Sequence, residues 1–475
     1  PTRRSSDLER MKTLMKINKQ KRSLIFINIL VTCIASSMLA TSLTTALPPI
    51  LNDLKISATI GQWLTSGYSL AMGIMMPATA FLIRRFETKK LYLSALVCFM
   101  FGLIIDIFSP NFTMLMIGRI FQAAGNGILT SMAQVVLLSI YPKEEAGSVM
   151  GLYGLSVGAA PVIAPTIAGF IVDHMRWQMI FVIALIIIAI SFALAIFVFD
   201  DILDTVKQKF DILSFVLSAL AYCGIILGIG NIGNYALLSI NIILPIIVGI
   251  TAMIIFVYRQ LHMEMPFLEL RIFKNREYML SVIGSMVLYL VMMGSSIIMP
   301  LYVQAIKGMS ATVSGLVTLP GSLLMAIVSP FAGKIYDMIG MKKLFIAGAL
   351  FMLISNVGMA FIPLNASIVV AAVLNAIRCI SIGCLMMPLV TWGLSGIEVE
   401  DTPHGTALLT SLRTISGSIG SAIFVAIMTL VAQNSVTSFG ESAHIHGLNI
   451  TFAVMSCITI ILLLMAVFCI KEKKN

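Results

Sequence analysis

The sequence predicts an all-α, polytopic membrane protein with fourteen transmembrane helices. Three observations carry that expectation. Of 475 residues, 59% are hydrophobic and only 11% charged, with a mean hydropathy of +1.01, whereas a soluble domain carries roughly a quarter charged residues. Apolar stretches longer than the ~18 residues that cross a bilayer recur along the whole chain. Lysine and arginine are divided unequally between alternate loops. The formal charge of +10 therefore bears first on topology. Neither zinc-finger spacing nor a polybasic domain points to nucleic acid.

The chain opens on Pro1, and Pro1–Leu8 (PTRRSSDL) resembles a translated sequencing adapter. Residues 1–10 are expected to be foreign, and 11–23 to form a basic tail holding Lys12, Lys16, Lys19, Lys21 and Arg22. Charges and Gly/Pro/Asn punctuation then set the spans at 24–47, 61–83, 91–108, 113–139, 147–172, 178–199 and 211–231. The remaining seven are 235–257, 279–302, 312–333, 343–363, 367–392, 404–432 and 449–470. An even count puts both termini on one side. Loops on that side hold 22 Lys and Arg against three on the other, Lys55, Arg176 and Lys307, so both termini are expected in the cytoplasm. Ala80–Leu91 (AFLIRRFETKKL) follows span 2 as Gly333–Leu344 (GKIYDMIGMKKL) follows span 10, and Arg119 sits in span 4 as Arg378 sits in span 12. The halves thus read as related six-helix bundles, 24–199 and 277–475, joined through a two-helix insert with its loops at 200–276. Parallel repeats of this kind place a binding site at their interface near the midplane.

In order along the chain stand Ala46-Leu47-Pro48 closing span 1, Trp63 and Tyr68 in span 2, GRIFQAAGNG (Gly118–Gly127), GLYGLSVGAAPVIAPTIAG (Gly151–Gly169) and GKIYDMIGMKK. Together they resemble the major facilitator superfamily, specifically the 14-span drug:H+ antiporters of the EmrB/QacA type, nearest to the LmrB-like lincomycin exporters. The resemblance implies the major facilitator fold, alternating access, and efflux of hydrophobic or cationic drugs driven by protons. The chain also departs from that pattern. Arg84 and Glu87 stand where the first cytoplasmic loop usually carries Asp and Gly, Leu39 where many members have an acid, and Ala160, Ala164 and Ala168 where Gly is commoner.

Arg119, Gln122, Asn126, Thr130 and Gln134 form one polar stripe down an apolar helix. Lipid would leave such a stripe unsatisfied. It is expected to line a substrate cavity with Tyr68, Met72, Met76 and Arg378; the alternative is interhelical hydrogen-bonding. Asp106 is the one carboxylate well inside a span, in the outer part of the helix beside Arg119, so the two are candidates for proton coupling, with a static ion pair as the alternative. In span 5, Gly154, Gly158, Pro161, Pro165 and Gly169, following Gly151, are candidates for conformational change, resembling an exporter motif; a plain Pro-kinked helix is the other reading. Gly333, Asp337 and Gly340 fit a tight turn in which Asp337 sits against the N-terminus of span 11; the resemblance makes it a latch between bundles. Arg413 lies near the cytoplasmic end of span 13, where a long side chain snorkels. Thirty-two methionines include Met72, Met75 and Met76 beside Pro77, suited to varied apolar ligands.

No Walker A motif is present, so no ATP-driven pump is expected in this chain. The seven cysteines read as reduced, buried thiols, and His444 and His446 have no third ligand nearby, so no metal or other cofactor is expected. The expected partners are small-molecule drugs, protons and the lipid bilayer of a bacterial cell, with the chain a monomer. A facilitator importing a metabolite shares the fold. A membrane-embedded lipid enzyme would need a cluster of acids, His or Cys that the sequence does not show.

Overall fold

A computed structural model describes residues 18–56, 61, 63–142, 145–203, 205, 210–231, 238–309 and 311–470. The expected leader, most of the basic tail, Lys143, Lys207, Lys209 and the C-terminal lysines lie outside the described residues. The described residues form helices and no strand. In chain order the long helices are α1 (Lys19–Leu54), α2 (Trp63–Arg85), α3 (Thr88–Ile107), α4 (Phe112–Ile140), α5 (Ala146–His174), α6 (Met179–Val198) and α7 (Ile212–Gly230). They continue as α8 (Ile240–His262), α9 (Arg276–Leu301), α10 (Ala311–Ile339), α11 (Met341–Ala360), α12 (Ile368–Ser395), α13 (Thr402–Phe439) and α14 (Ala443–Leu464). Among the described residues, 12 helical stretches are long and apolar enough to cross a membrane; α2 and α5 are not among those twelve.

Helix ends are set by local chemistry more than by hydropathy. Asn111 caps α4 by accepting from the Met114 N–H at 2.9 Å, and Ser239 caps α8 by accepting from Asn241. The Ser239 cap starts α8 five residues after the expected position 235. Helix α14 begins six residues before the expected 449, because its first turns carry His444, His446 and Asn449, too polar to score as membrane-spanning. Helices α1 and α13 run to 36 and 38 residues, longer than the ~20 a hydrocarbon core needs.

The same pairings recur in both parts of the chain. In the first, α1 packs on α5 and α6, α4 on α2 and α3, and α3 on α6. In the second, α9 packs on α13 and α14, α12 on α10 and α11, and α11 on α14. The two parts meet through their fifth helices: α5 lies on α10 and α12, and α13 lies on α2 and α4. Helices α7 and α8 pack on each other at Gly224 and Gly249, where a Cβ on Gly224 would fall 2.7 Å from the Gly249 nitrogen. Helix α7 also leans on α2 and α13. The end of this pair near α2's last turn is tied by Arg259, whose Nη2 donates to Asp211 at 3.1 Å. Gln260 donates to Ser214 at 2.6 Å and accepts from the Leu268 N–H at 3.0 Å. Burial works to raise the Asp211 carboxyl, but hydrogen bonds from Ser214 and Arg259 outweigh it and hold the group below the usual carboxylate range.

Candidate functional site

The α4 stripe is enclosed by α2 and α3. Three glycines bring the helices together: a Cβ on Gly118 would fall 1.8 Å from Asp106 Oδ1, one on Gly125 2.8 Å from the Ala95 carbonyl, and one on Gly127 3.3 Å from the Met72 carbonyl. Into that contact α4 projects Arg119, fully buried, with its guanidinium 4.0 Å above the Tyr68 ring. Arg119 Nε donates to the Leu64 carbonyl at 3.3 Å and Nη1 to Gln122 Oε1 at 2.7 Å. Gln122 Nε2 in turn donates to Asp106 Oδ2 at 2.7 Å. The expected proximity of Asp106 and Arg119 therefore takes the form of a relay, with Gln122 between the two charges instead of a direct ion pair. One oxygen of Asp106 and Nη2 of Arg119 make no hydrogen bond. Lower in the stripe, Asn126 donates to the Tyr68 hydroxyl at 2.8 Å and to Met72 Sδ at 3.5 Å, and accepts from Thr130 at 3.3 Å. Met76 is buried, with its sulfur 3.8 Å from the Thr414 hydroxyl of α13.

A second arrangement joins the two parts of the chain where α10 ends. Asp337 Oδ1 accepts from the Gly147 N–H at 3.0 Å, and Oδ2 accepts from the Ser148 N–H at 3.0 Å and its hydroxyl at 3.1 Å. These are the first N–H groups of α5, left without helical partners and lying at the positive end of the helix dipole. The expected seat of Asp337, the N-terminus of α11, is thus corrected. Asp337 is still inside α10, so its side chain reaches across the interface and not around the turn. Gly333 is likewise a packing residue: a Cβ there would fall 2.1 Å from the Gly147 carbonyl. Only Gly340 serves the turn, with φ 79° before α11. Along the same seam, Gly151 faces the Ser329 carbonyl and Gly154 faces Met387. Gly169 is half-buried; Gly158, Pro161 and Pro165 lie in α5 but outside the described side chains.

The corresponding position in the first part is inverted. Arg84, near the end of α2, donates from Nη1 to His404 Nε2 at 2.7 Å, in the first turn of α13. His404 is 1% exposed, and the Glu269 N–H lies 3.3 Å from its Nδ1. His404 stands at the first position of the expected span 404–432, where a polar residue reads as an ordinary helix start. The signal was available, since a basic residue replacing an acid at Arg84 needs a new acceptor.

Arg413 does not snorkel. It is 5% exposed, its guanidinium lies 4.4 Å from the Tyr289 ring centroid, and its Nε and Nη1 make no hydrogen bond. The reason is depth: Arg413 stands eleven residues beyond the first residue of α13, about 16 Å at ~1.5 Å per residue, in a helix that packs on α2, α4 and α9. Arg378 donates to Asn375 and faces Phe452 at 6.0 Å, and it does not meet Arg119. Gly417 and Gly420 pack on α9 at Met293 and the Leu290 carbonyl. Among the described residues no group of three His, Cys, Asp or Glu could hold a metal.

Residues 25–425 match the Major Facilitator Superfamily. The chain is 34% identical over 421 residues to the uncharacterized MFS-type transporter YcnB of Bacillus subtilis (strain 168), covering 89% of each. It is 34% identical over 389 residues to the lincomycin resistance protein LmrB of Listeria innocua, covering 82% of this chain and 83% of that protein. In three dimensions it superposes on the proton:xylose symporter XylE with a TM-score of 0.68 at 13% identity, covering 96% of this chain and 98% of XylE. A repeated helical packing, an interface built on the two fifth helices, and relatives matched over most of their length lead to one conclusion: this multi-pass membrane protein belongs to the Major Facilitator Superfamily and is a transporter, not an enzyme.

Proposed function

We propose that the protein exports small drug-like molecules from a bacterial cell in exchange for protons. Two six-helix bundles, 24–199 and 277–475, would rock about a midplane cavity, with all fourteen long helices crossing the membrane and both termini in the cytoplasm. The observation that carries the reading is the Asp106–Gln122–Arg119 relay. A buried carboxylate with one uncommitted oxygen, coupled through an amide to a buried guanidinium, is a group whose protonation changes the pairing of its neighbours. Similarity to lincomycin resistance proteins favours drugs as the cargo. Of the hydrophobic and cationic substrates the sequence suggests, the uncharged kind fits better. Among the described residues Arg119, Arg378 and Arg413 are all buried, against one buried carboxylate, Asp106.

One proton suffices for such a cargo. A 100-fold gradient of a neutral solute costs about 2.7 kcal/mol, while ~100 mV supplies ~2.3 kcal/mol per charge and one pH unit adds ~1.4. The test is uptake of ethidium and of the neutral dye Nile red into everted vesicles, with and without a protonophore. Proton-driven flux that is lost in Asp106→Asn supports the reading. Full proton-driven flux in that variant removes Asp106 from the mechanism, and an imposed pH gradient that moves neither dye removes the antiport reading.

A further inference from the structure

His404 joins α13 to α2 in a way that only its neutral ring allows. Arg84 Nη1 lies 2.7 Å from Nε2, and the Glu269 backbone nitrogen lies 3.3 Å from Nδ1. Each ring nitrogen therefore faces a donor. A neutral imidazole accepts through one nitrogen, and an imidazolium accepts through none. The shorter contact assigns the accepting role to Nε2 and leaves the ring proton on Nδ1. Among the described residues Arg84 forms no ion pair, so a neutral ring is what holds this guanidinium across the interface. At the matching place in the other part of the chain a carboxylate, Asp337, makes the contact instead.

Nothing around the ring stabilises a second proton. An imidazolium here would stand 2.7 Å from a guanidinium, in a site almost closed to water. His404 is also the third residue of α13, where the free N–H groups and the helix dipole oppose a cation. The acids near this end of α13 are Glu269, Glu277, Glu398, Glu400 and Asp401, and among the described residues none forms an ion pair with the ring. The Glu269 carboxylate turns to Arg271 at 3.5 Å. The Tyr278 hydroxyl of α9 donates to the Gly405 carbonyl at 2.8 Å, and Tyr222 of α7, also buried, is an uncharged phenol. Guanidinium, helix start and burial all act in the same direction.

We propose that His404 is a proton-operated release for the α2–α13 contact, opening this face of the transporter when the solution on that side turns acidic. The inference adds a regulation to the transport reading above, on which it rests for placing this face in the cytoplasm. Once α2 and α13 part, the ring meets water and takes a proton at its ordinary value of ~6.5. The closed form admits no such proton, so acid stabilises the open form alone. The closed form is therefore favoured in full above about pH 7, and its advantage falls about tenfold for each pH unit below ~6.5.

The test reads the distance between spin labels at Lys90→Cys and Lys343→Cys in the full-length protein in nanodiscs, at pH 8 and pH 5.5. The background is Asp106→Asn with Asp337→Asn, which removes two other carboxylates a proton could reach and weakens the α5–α10 contact so that both forms are populated. The open-to-closed ratio is expected to rise about tenfold on acidification. His404→Gln keeps an acceptor for Arg84 but does not titrate, and its ratio should change less than twofold. Arg84→Met removes the opposing charge, so it should start more open and rise less. Where the background fails to fold, wild type and His404→Gln are compared directly. A ratio indifferent to pH, or one that rises equally in folded His404→Gln protein, overturns the proposal. Proton-driven uptake of Nile red into everted vesicles keeps the two readings apart. Opening that depends on His404 without such uptake supports the release and removes only the antiport, whereas uptake with a ratio indifferent to pH removes only the release.

Discussion

Asp337→Asn should open the protein on the face where α10 meets α5. The carboxylate accepts three hydrogen bonds from the first turn of α5, at 3.0, 3.0 and 3.1 Å. Bonds to a charged group contribute ~1.5–3 kcal/mol each and neutral ones ~0.5–1.5, so removing the charge weakens three bonds by about 1 kcal/mol apiece. Asparagine also turns an NH2 toward donors, and the favourable term with the helix dipole is lost. Asp337 is half-buried, and water softens the change to about 2 kcal/mol. At 1.4 kcal/mol per tenfold this is a ~30-fold shift: a closed form held at ~99:1 falls to ~3:1. Spin labels at Lys90→Cys and Lys343→Cys, both exposed and on the first turns of α3 and α11, report the separation of the two parts by double electron–electron resonance. A new, longer-distance population of roughly a quarter is expected. An unchanged distance distribution in folded Asp337→Asn protein would refute the argument that this contact holds the two parts closed.

Three further outcomes follow from the geometry. Gly118→Ala places a methyl 1.8 Å from Asp106 Oδ1, so the relay must part; the variant should unfold at lower temperature by ~2 kcal/mol or more and lose proton-driven flux, as measured by thermal unfolding and vesicle uptake. Imidazole has one acceptor nitrogen when neutral and none when protonated. Arg84→Ala, His404→Ala and the double variant should therefore open the α2–α13 contact to the same extent, a non-additive cycle read by the same spin labels. Asp211→Asn should cost about 1 kcal/mol, discounted because the Arg259 partner is partly open to solvent. Because the folded carboxyl titrates below its ordinary ~3.9, that stabilisation is present above about pH 4 and disappears as pH falls through the lower folded value. Thermal unfolding of wild type and variant should converge there and diverge at pH 6.

The all-helical, multi-pass fold was legible in the sequence because bilayer length is a one-dimensional signal, whereas among the described residues 12 stretches, not fourteen, are long and apolar enough to cross a membrane. So was the α4 stripe, whose residues do share one face. What escaped depended on distant partners. Asp337 was read against the nearest helix start, whereas its partners Gly147 and Ser148 belong to a helix far earlier in the chain. Gly333 looked like a turn residue because spacing cannot distinguish a bend from the close approach of another backbone. Arg413 lies only nine residues beyond the expected start of its span at 404, which suggests a snorkelling side chain, whereas the packing of α13 on α2, α4 and α9 buries it.

The charge of the cargo changes the energetics as well as the recognition. With one proton entering per molecule leaving, a neutral solute draws ~2.3 kcal/mol from 100 mV and ~1.4 from one pH unit. A monovalent anion leaving an inside-negative cell adds a second charge moved along the field, so the same conditions supply about 6 kcal/mol, enough for a ~10⁴-fold gradient. A monovalent cation cancels the proton's charge and leaves only the ~1.4 kcal/mol of the pH term. One proton per molecule thus drives an anionic solute hardest and a cationic one least. Clamping the potential of proteoliposomes with potassium and valinomycin at fixed pH difference tests this directly. Fluorescein is a dianion above about pH 7, so its steady-state gradient should steepen about three times as much per millivolt, on a logarithmic scale, as that of Nile red. Equal slopes would show that fluorescein crosses without its negative charge.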